Sequence, residues 1–366
     1  MLGRGDAAEQ RFVRESLLAL GSERPGLRDA ARAVRSWERV LAIAAAGSVA
    51  ESIWSGVSLR GLEDEIPEPA RTVLQEAHAG ATARNALLLS EAAHVQAAFT
   101  AAGIASVILK GPGLLVAHYP DIGARHVADV DILVREGDVA RAVEVATAMG
   151  AQALAPSPLF YDPADPEWGH VHAPSSRTPA GIVIEIHHRV PAADLAGFSF
   201  DEILGRSRQV AWQGRSLRIP APDDLAAIAC LHVFEYHLGD SAFLLRHLAD
   251  LAVLLRGSDL GWERLEAHVP LQSQRHPLRA SRGLVEGGTR GRFQVWWSST
   301  RLRTAYWRRL LRKEGSATQS VVLVLFPPRR FMEARYQVAE GSPLVPLLYL
   351  WRPVRGAWSF VTGKWR

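Results

Sequence analysis

The feature of this 366-residue chain that most limits its fold is a short apolar run, residues 127–134, that contains Asp129 and Asp131. In an extended strand both aspartates project from one face, while Val130 and Ile132 lie on the other. Two carboxylates on one rigid face can share a divalent cation, and Mg²⁺ prefers carboxylate oxygens together with substrate phosphates. The pair predicts metal-assisted phosphoryl chemistry, although two solvated aspartates near a loop explain it better when it is taken alone.

A second extended run adds support for a metal site. Residues 181–189 alternate so that Glu185, His187 and Arg189 share one face, with isoleucines on the other. A glutamate in a β-branched run is costly to bury unless a partner compensates its charge. If this strand lies beside the aspartate strand, Glu185 completes a cluster of three carboxylates whose mutual repulsion a cation would relieve.

A third element lies upstream, where the apolar run 104–109 leads directly into Lys110, Gly111, Pro112 and Gly113. The glycines permit close approach of the backbone, and the N-terminus of a following helix would present N–H groups to phosphate. Lys110 adds a positive charge in a chain that has only three lysines among its 42 basic residues. A Lys-Gly turn after a strand is also common as a plain turn, so its weight comes from the other two elements.

Together these segments resemble the nucleotidyltransferase superfamily with a polymerase-β type core, and more closely the uncharacterised bacterial nucleotidyltransferase family. The resemblance covers residues 70–255 and rests on five motifs. These are Lys110-Gly111, Tyr119-Pro120, Arg125, Asp129-Val130-Asp131 and Glu185-Ile186-His187. The Lys-Gly turn departs from the Gly-Ser turn of the wider superfamily. Toxin-like nucleotidyltransferases of antitoxin systems are also similar, but they have Lys-Gly-Gly where Pro112 follows here.

The resemblance implies an α+β fold with a nucleotidyltransferase (polymerase-β-like) mixed-sheet core, flanked by N- and C-terminal helical regions. It implies an enzyme that transfers a nucleoside monophosphate from a Mg-bound nucleoside triphosphate, for example ATP, and releases pyrophosphate. The acceptor would be a hydroxyl or phosphate on a small molecule, a peptide or RNA, and the sequence identifies neither the acceptor nor the base.

The same resemblance implies roles for individual residues. Asp129 and Asp131 would hold one Mg²⁺ or Mn²⁺ on the triphosphate, and with Glu185 a second ion that activates the acceptor hydroxyl. Glu185 could equally act as the general base. Lys110 and Arg125 would neutralise charge on the β and γ phosphates.

Composition, together with the positions of proline and glycine, predicts how the chain is organised. With 48% hydrophobic residues, the chain can form two or three domains. We expect an N-terminal helical region (1–100), the nucleotidyltransferase core (101–220), a helical substrate-side domain (221–300) and a basic, tryptophan-rich extension (301–366). The single cysteine, Cys230, and the lack of a secretion signal or membrane-spanning run predict a cytoplasmic location.

Several local elements are predicted within these regions. The pattern predicts a helix from Pro69 to near Gly103 and a helix from Asp138, as N-cap, to Gly150. It also predicts loops over 155–176, a hairpin over 209–219 that turns at Gln213-Gly214, and helices over 225–238 and 243–255.

The histidines suggest supporting roles. His232 and His237 are five residues apart, which is not the spacing that places two ligands on one helical face, so hydrogen bonding is favoured over metal binding. His232 is kept as a candidate for contacting the acceptor, because the resemblance places an active-site-facing helix here. His170, His172 and His187 lack an identifiable fourth zinc ligand. A histidine near Glu185, with His187 the candidate, could orient the acceptor or shuttle a proton.

The C-terminal extension carries an excess of positive charge. Residues 301–366 have a formal charge of +10, whereas the rest of the chain has −6, and four tryptophans are interleaved with the basic residues. Such a segment can bind nucleic acid or rest at an anionic membrane surface. A helical cap with arginine stems packed over tryptophan is favoured over both, because five prolines interrupt any long basic helix.

Two alternatives to a small-molecule or peptide enzyme stay open. One is a toxin-like nucleotidyltransferase that acts on RNA, which the basic extension supports. The other is a catalytically inactive protein that binds nucleotide or a partner. Three carboxylates favour an enzyme, because a binding module has little reason to keep them together.

Overall fold

A computed structural model describes residues 7–154, 172–190, 196–233, 241–256, 260–287, 329 and 341–351. The chain divides into two compact units. The larger contains residues 2–154 and 171–299, and the smaller contains residues 1, 155–170 and 300–366. Within the smaller unit the structure describes residue 329 and a segment, 341–351, that is helical from 345 to 351.

The larger unit is rich in helices, many of which pack around a mixed sheet. Its described helices are α1 (Ala7–Leu18), α2 (Leu27–Arg32), α3 (Trp37–Gly47), α4 (Ala50–Ser58), α5 (Glu68–Ala101), α6 (Lys110–His118), α7 (Val139–Ala148), α8 (Phe200–Arg206), α9 (Pro222–Leu231), α10 (Ser241–Leu254), α11 (Trp262–His268) and α12 (Arg275–Glu286). Short 3-10 turns lie at Glu63–Glu65, Glu136–Asp138 and Gln272–Gln274.

The sheet has five strands in the order β1, β2, β5, β4, β3. These strands are β1 (Ser106–Ile108), β2 (Asp129–Val134), β3 (Gln152–Ala153), β4 (Ser176–Arg177) and β5 (Val183–His187), and a separate hairpin pairs β6 (Arg208–Trp212) with β7 (Arg215–Ile219). Strand β2 runs antiparallel to β1 and parallel to β5, while β4 runs antiparallel to β5 and to β3. The predicted α+β fold with a mixed-sheet core is therefore confirmed.

The core forms where the apolar faces of the central strands meet the helices. Val130, Ile132, Ile184 and Ile186 are almost completely buried, as the alternation of β2 and β5 predicted. Helix α5 contacts β1 and β2 and supplies the buried Phe99. The isoleucines thus fix which face of each strand carries the polar side chains.

Most predicted elements agree with the structure. Helix α5 begins beside Pro69 and ends before Gly103, and the hairpin turns at Gln213 and Gly214, which both have positive φ. Asp138 occupies the predicted N-cap position of α7, but its side chain makes no capping hydrogen bond. The backbone at Asp138 is already helical, because a 3-10 turn runs into α7.

Some predicted segments extend beyond the described residues. The loops expected over 155–176 end earlier, because Ser176 begins β4, and residues 155–171 lie outside the described part. The helix predicted over 225–238 corresponds to α9, which ends at Leu231. Residues 234–240 lie outside the described part of the chain. Within the described part, no single helix is long and apolar enough to cross a membrane, and the only pair that passes together, α3 and α4, is bent by 117°.

Candidate active site

The parallel pairing of β2 with β5 brings the predicted carboxylates to one place. Asp131 lies directly beside Glu185 in the register, and Asp129 lies beside Val183. Side chains at aligned positions of neighbouring strands point to the same face, so the aspartates and Glu185 share the face opposite the buried isoleucines. The predicted adjacency of the glutamate strand and the aspartate strand is confirmed.

Within the described part of the chain, Asp131, Glu185 and His187 form a cluster of possible metal ligands. One ligand atom from each residue lies within 4.8 Å of the others. His187 Nε2 lies 2.7 Å from Asp131 Oδ1 and 3.5 Å from Glu185 Oε2. The sequence predicted that His187 shares the face of Glu185 but did not predict that it would stand between the two carboxylates.

Lys110 also reaches this cluster. Its Nζ lies 3.2 Å from Asp131 Oδ1, and the residue has a φ of 46°, which is uncommon for a residue other than glycine. The left-handed backbone at Lys110 turns the chain from β1 into α6 and aims the side chain at β2. Local strain of this kind costs energy and is frequent at functional sites.

The two aspartates have opposite ionisation behaviour. Burial, together with the neighbouring Asp131 and Glu185 carboxylates, raises the pKa of Asp129 to about 6. Burial alone would also raise the pKa of Asp131, but Lys110 and His187 outweigh it and hold that pKa far below its usual range. Asp131 is therefore ionised at neutral pH, whereas its surroundings compensate the ionised form of Asp129 poorly.

Glu185 is held by polar neighbours on β5 and on the segment before β4. Ser175 Oγ donates a hydrogen bond of 3.0 Å to Glu185 Oε1, and His172 Nε2 lies 3.6 Å from Oε2. Burial would raise the pKa of Glu185, but His187 and His172 outweigh it and lower the pKa. Glu185 is therefore a carboxylate at neutral pH. His170, the other histidine of this predicted group, lies outside the described residues.

Arg125 lies deeper than its predicted phosphate-binding role suggests. Its guanidinium makes a bidentate ion pair with Asp250 on α10, with Nε and Nη2 at 2.7 and 3.0 Å from the two carboxylate oxygens. The hydroxyl of Tyr119 donates a further bond of 2.7 Å to Asp250. Burial alone would lower the pKa of Arg125, but Asp250 raises it overall. In this structure the Nε and Nη2 groups of the Arg125 guanidinium therefore donate to the Asp250 carboxylate.

The glycines of the turn are explained by packing inside the protein. A Cβ on Gly111 would lie 2.9 Å from Nη1 of Arg125, and a Cβ on Gly113 would lie 3.2 Å from the carbonyl oxygen of Ile108. Both distances are tighter than ordinary contacts of a methyl group. The predicted role of Gly111 and Gly113 in phosphate binding stays a prediction.

Helix α5 fixes the loop that leads into β2. Arg84 donates to the carbonyl oxygens of Val127 and Ala128, at 3.2 and 3.0 Å. The buried amide of Asn85 donates to the carbonyl oxygens of Ile122 and Arg125, at 2.6 and 2.7 Å. This loop therefore cannot shift without breaking side-chain hydrogen bonds to α5, which no motif of the chain predicted.

His232 lies at the C-terminal end of α9, and its predicted contact with the acceptor stays a prediction. Burial raises the pKa of Asp131, and the charges of Lys110, His187 and, to a smaller extent, His232 lower it.

Arg246 on α10 lies one helical turn before Asp250 and so shares its face. Burial, Arg246 and Arg84 lower the pKa of His126.

The donor set fits a divalent cation. Asp131 and Glu185 are carboxylates that hard cations prefer. Burial, and after it the charges of Asp131 and Glu185, raise the pKa of Asp129, and a bound cation would oppose both effects. An imidazole nitrogen suits Mn²⁺ better than Mg²⁺, so His187 is a better neighbour than ligand if the ion is Mg²⁺.

Comparison with known protein families assigns the class. A family model described as "Uncharacterised nucleotidyltransferase" matches residues 34–286, which is more than half of the chain. The protein is therefore a nucleotidyltransferase. It belongs to the uncharacterised nucleotidyltransferase family, as the motifs between Lys110 and His187 predicted. No curated protein matches the chain by sequence.

Two solved structures are similar to part of the chain. A solution structure of the antibiotic-resistance factor ANT(2'')-Ia has 12% identity and a TM-score of 0.33, covering 50% of this chain and 88% of that chain. A crystal structure of ANT(2'')-Ia in complex with adenylyl-2''-tobramycin has 12% identity and a TM-score of 0.31, covering 48% of this chain and 90% of that chain. At these scores the likeness carries no argument about substrate.

Proposed function

We propose that the protein transfers a nucleoside monophosphate from a Mg²⁺-bound nucleoside triphosphate to a hydroxyl or phosphate of an acceptor. The observation that carries this proposal is the alignment of Asp131 with Glu185 on adjacent parallel strands, with Asp129 on the same face. The raised pKa of Asp129, at about 6, supports a cation as the partner of these carboxylates. Family membership supports nucleotidyl transfer in general.

Each residue of the site has a distinct task in this proposal. Asp129, Asp131 and Glu185 would hold Mg²⁺ or Mn²⁺, which when bound neutralises phosphate charge and increases the acidity of the acceptor hydroxyl. Lys110, already 3.2 Å from Asp131, would turn toward the triphosphate as a mobile positive charge. Arg125 would support the turn by packing against Gly111.

The bond changes are those of an in-line displacement. The acceptor oxygen forms a bond to the α-phosphorus while the bond from that phosphorus to the bridging oxygen of the β-phosphate breaks. Pyrophosphate leaves with that electron pair. Glu185 takes the proton of an acceptor hydroxyl, since its lowered pKa keeps it ionised, and His187 and His172 beside it can pass the proton on. His232 is proposed to contact the acceptor.

The proposal is tested by titrating each of the four nucleoside triphosphates into the protein by calorimetry, with and without Mg²⁺. We expect one or more triphosphates to bind in a Mg²⁺-dependent manner, and Asp129→Asn/Asp131→Asn to abolish this binding. Glu144→Gln, which removes an exposed acid on α7, is the matched control and should bind like the wild type. Pyrophosphate release is then screened against hydroxyl acceptors.

Failure has a clear form. If the folded wild-type protein binds no triphosphate with Mg²⁺ or Mn²⁺, the donor model is wrong and an inactive or partner-dependent protein is favoured.

The cytoplasm is the proposed location, because one cysteine in 366 residues is typical of a reducing compartment.

A further inference from the structure

The segment 341–351 exposes an unusual amount of apolar surface. Leu344, Leu347, Leu350 and Trp351 have exposed fractions of 52%, 61%, 70% and 54%. Among the described residues only three other large hydrophobic side chains are exposed, one directly after α4 and two well separated on α5. A concentration of this kind marks an interaction surface more often than a chance exposure.

The four side chains lie on one face. Their spacings of three, six and seven residues from Leu344 place them within one stripe of a helix. Val345, on the opposite side, is only 2% exposed, so this short helix has a distinct inner and outer face. We call the four outer residues the leucine–tryptophan stripe.

The sequence that follows Glu340 has a single sign of charge. From 341 to the last residue, 366, the chain contains no acidic residue and four basic ones, Arg352, Arg355, Lys364 and Arg366. Trp358 and Trp365 follow the stripe, and tryptophan is enriched at the interface between lipid and water. Apolar side chains that are followed in the sequence by arginine and tryptophan match the chemistry of an anionic bilayer surface.

We propose that the leucine–tryptophan stripe docks the enzyme on the surface of an anionic phospholipid bilayer. The leucines and Trp351 enter the boundary between headgroups and acyl chains, and the arginines that follow bind lipid phosphates. The proposal is independent of the nucleotidyl-transfer site. Single-stranded RNA is the less favoured partner, because three of the four exposed side chains are leucines, which cannot stack on bases.

The test is co-sedimentation of the full-length protein with vesicles. Binding is compared between vesicles of phosphatidylcholine alone and vesicles that also contain phosphatidylserine. We expect binding only to the anionic vesicles, and a loss of about tenfold or more in partitioning for Leu347→Gln/Leu350→Gln. The matched control, Val73→Gln/Leu87→Gln, removes two exposed apolar side chains of α5 and should bind like the wild type.

A second variant separates charge from apolar insertion. Arg352→Gln/Arg355→Gln should weaken binding to anionic vesicles and reduce its dependence on salt concentration. Thermal unfolding of each variant checks that the protein is folded. The proposal is overturned if folded wild-type protein does not bind anionic vesicles, if the stripe variant binds as well as the control, or if the protein binds single-stranded RNA and not vesicles.

Discussion

At the scale of single residues, the site combines one aspartate that stabilises the metal-free fold with another that destabilises it. Asp131 is neutralised by Lys110 and His187 at 3.2 and 2.7 Å. Asp129 has no comparable neighbour among the described residues, and its carboxyl pKa is raised by burial and by the other carboxylates. The two positions are only two residues apart, so they allow a sensitive comparison.

Replacing Asp129 should stabilise the metal-free protein. Because the pKa of Asp129 rises from 3.8 to about 6 on folding, the ionised carboxylate lowers the free energy of unfolding above pH 6. Asp129→Asn should therefore raise that free energy by about 1–3 kcal/mol at pH 7.5, and the gain should shrink as the pH falls toward 4. Urea unfolding at several pH values measures it, with Glu23→Gln, at an exposed position, as the control.

Replacing Asp131 should have the opposite effect. Its folded pKa is depressed, so its contribution to stability is present above its unfolded pKa and is lost as the pH falls. Asp131→Asn leaves Lys110 and the buried His187 without their shared anion and should cost about 3 kcal/mol at pH 7.5. The same urea series measures it. A stabilised Asp131→Asn protein would show that our account of the charges in this cluster is wrong.

How well the sequence predicts the site differs between residues. Alternation was sufficient to place Asp129 and Asp131 on one face of β2, and Glu185 on the polar face of β5, because side-chain direction follows from backbone geometry alone. That β2 and β5 are neighbours was a condition of the predicted cluster, and the sheet meets it. The position of His187 between two carboxylates depends on rotamers and on the exact pairing of the strands. These are properties of the packed fold, so residue type and spacing could not give them.

At the scale of elements, helix α10 is joined to the loop before β2 by one buried carboxylate. Asp250 accepts bonds from both Arg125 and Tyr119, and Arg125 in turn contacts Gly111 at the start of α6. Burial would raise the pKa of Asp250, but Arg125 outweighs it and lowers the pKa. The carboxylate is therefore ionised, and it holds three elements in fixed relation.

Neutralising Asp250 should be strongly destabilising. Asp250→Asn leaves the buried guanidinium of Arg125 without its anion and should cost about 3–5 kcal/mol of unfolding free energy. The double variant Arg125→Gln/Asp250→Asn should lose less than the sum of the two single variants, by about 1–3 kcal/mol. Chemical denaturation of all four proteins completes the cycle. Strictly additive losses would contradict a direct coupling between the two residues.

The sequence predicted elements better than the bonds between them. Proline and glycine gave the limits of α5, and Gln213-Gly214 gave the hairpin, because these signals are local. The Arg125–Asp250 pair joins residues 125 positions apart, and neither residue type nor spacing indicates such a partner. Asp138 is the N-cap residue of α7 as predicted, but a 3-10 turn leads into the helix and the side chain makes no capping hydrogen bond.

At the scale of the whole molecule, the family region and the charged extension are separate parts of the chain. The family match ends at residue 286, and the formal charge of +10 is confined to 301–366. Local composition predicted this contrast, since charge can be counted without knowing the fold. The four-part division of the chain into domains stays a prediction.

The register between β2 and β5 has a consequence for how the enzyme is prepared and assayed. A slip of one residue would place an isoleucine, in place of Glu185, beside Asp131 and would turn the buried isoleucines outward. Structural order and catalytic competence therefore depend on the same pairing of strands. The specific activity recovered after refolding will consequently count the molecules whose sheet is correctly aligned, a quantity that helix content measured by circular dichroism does not report.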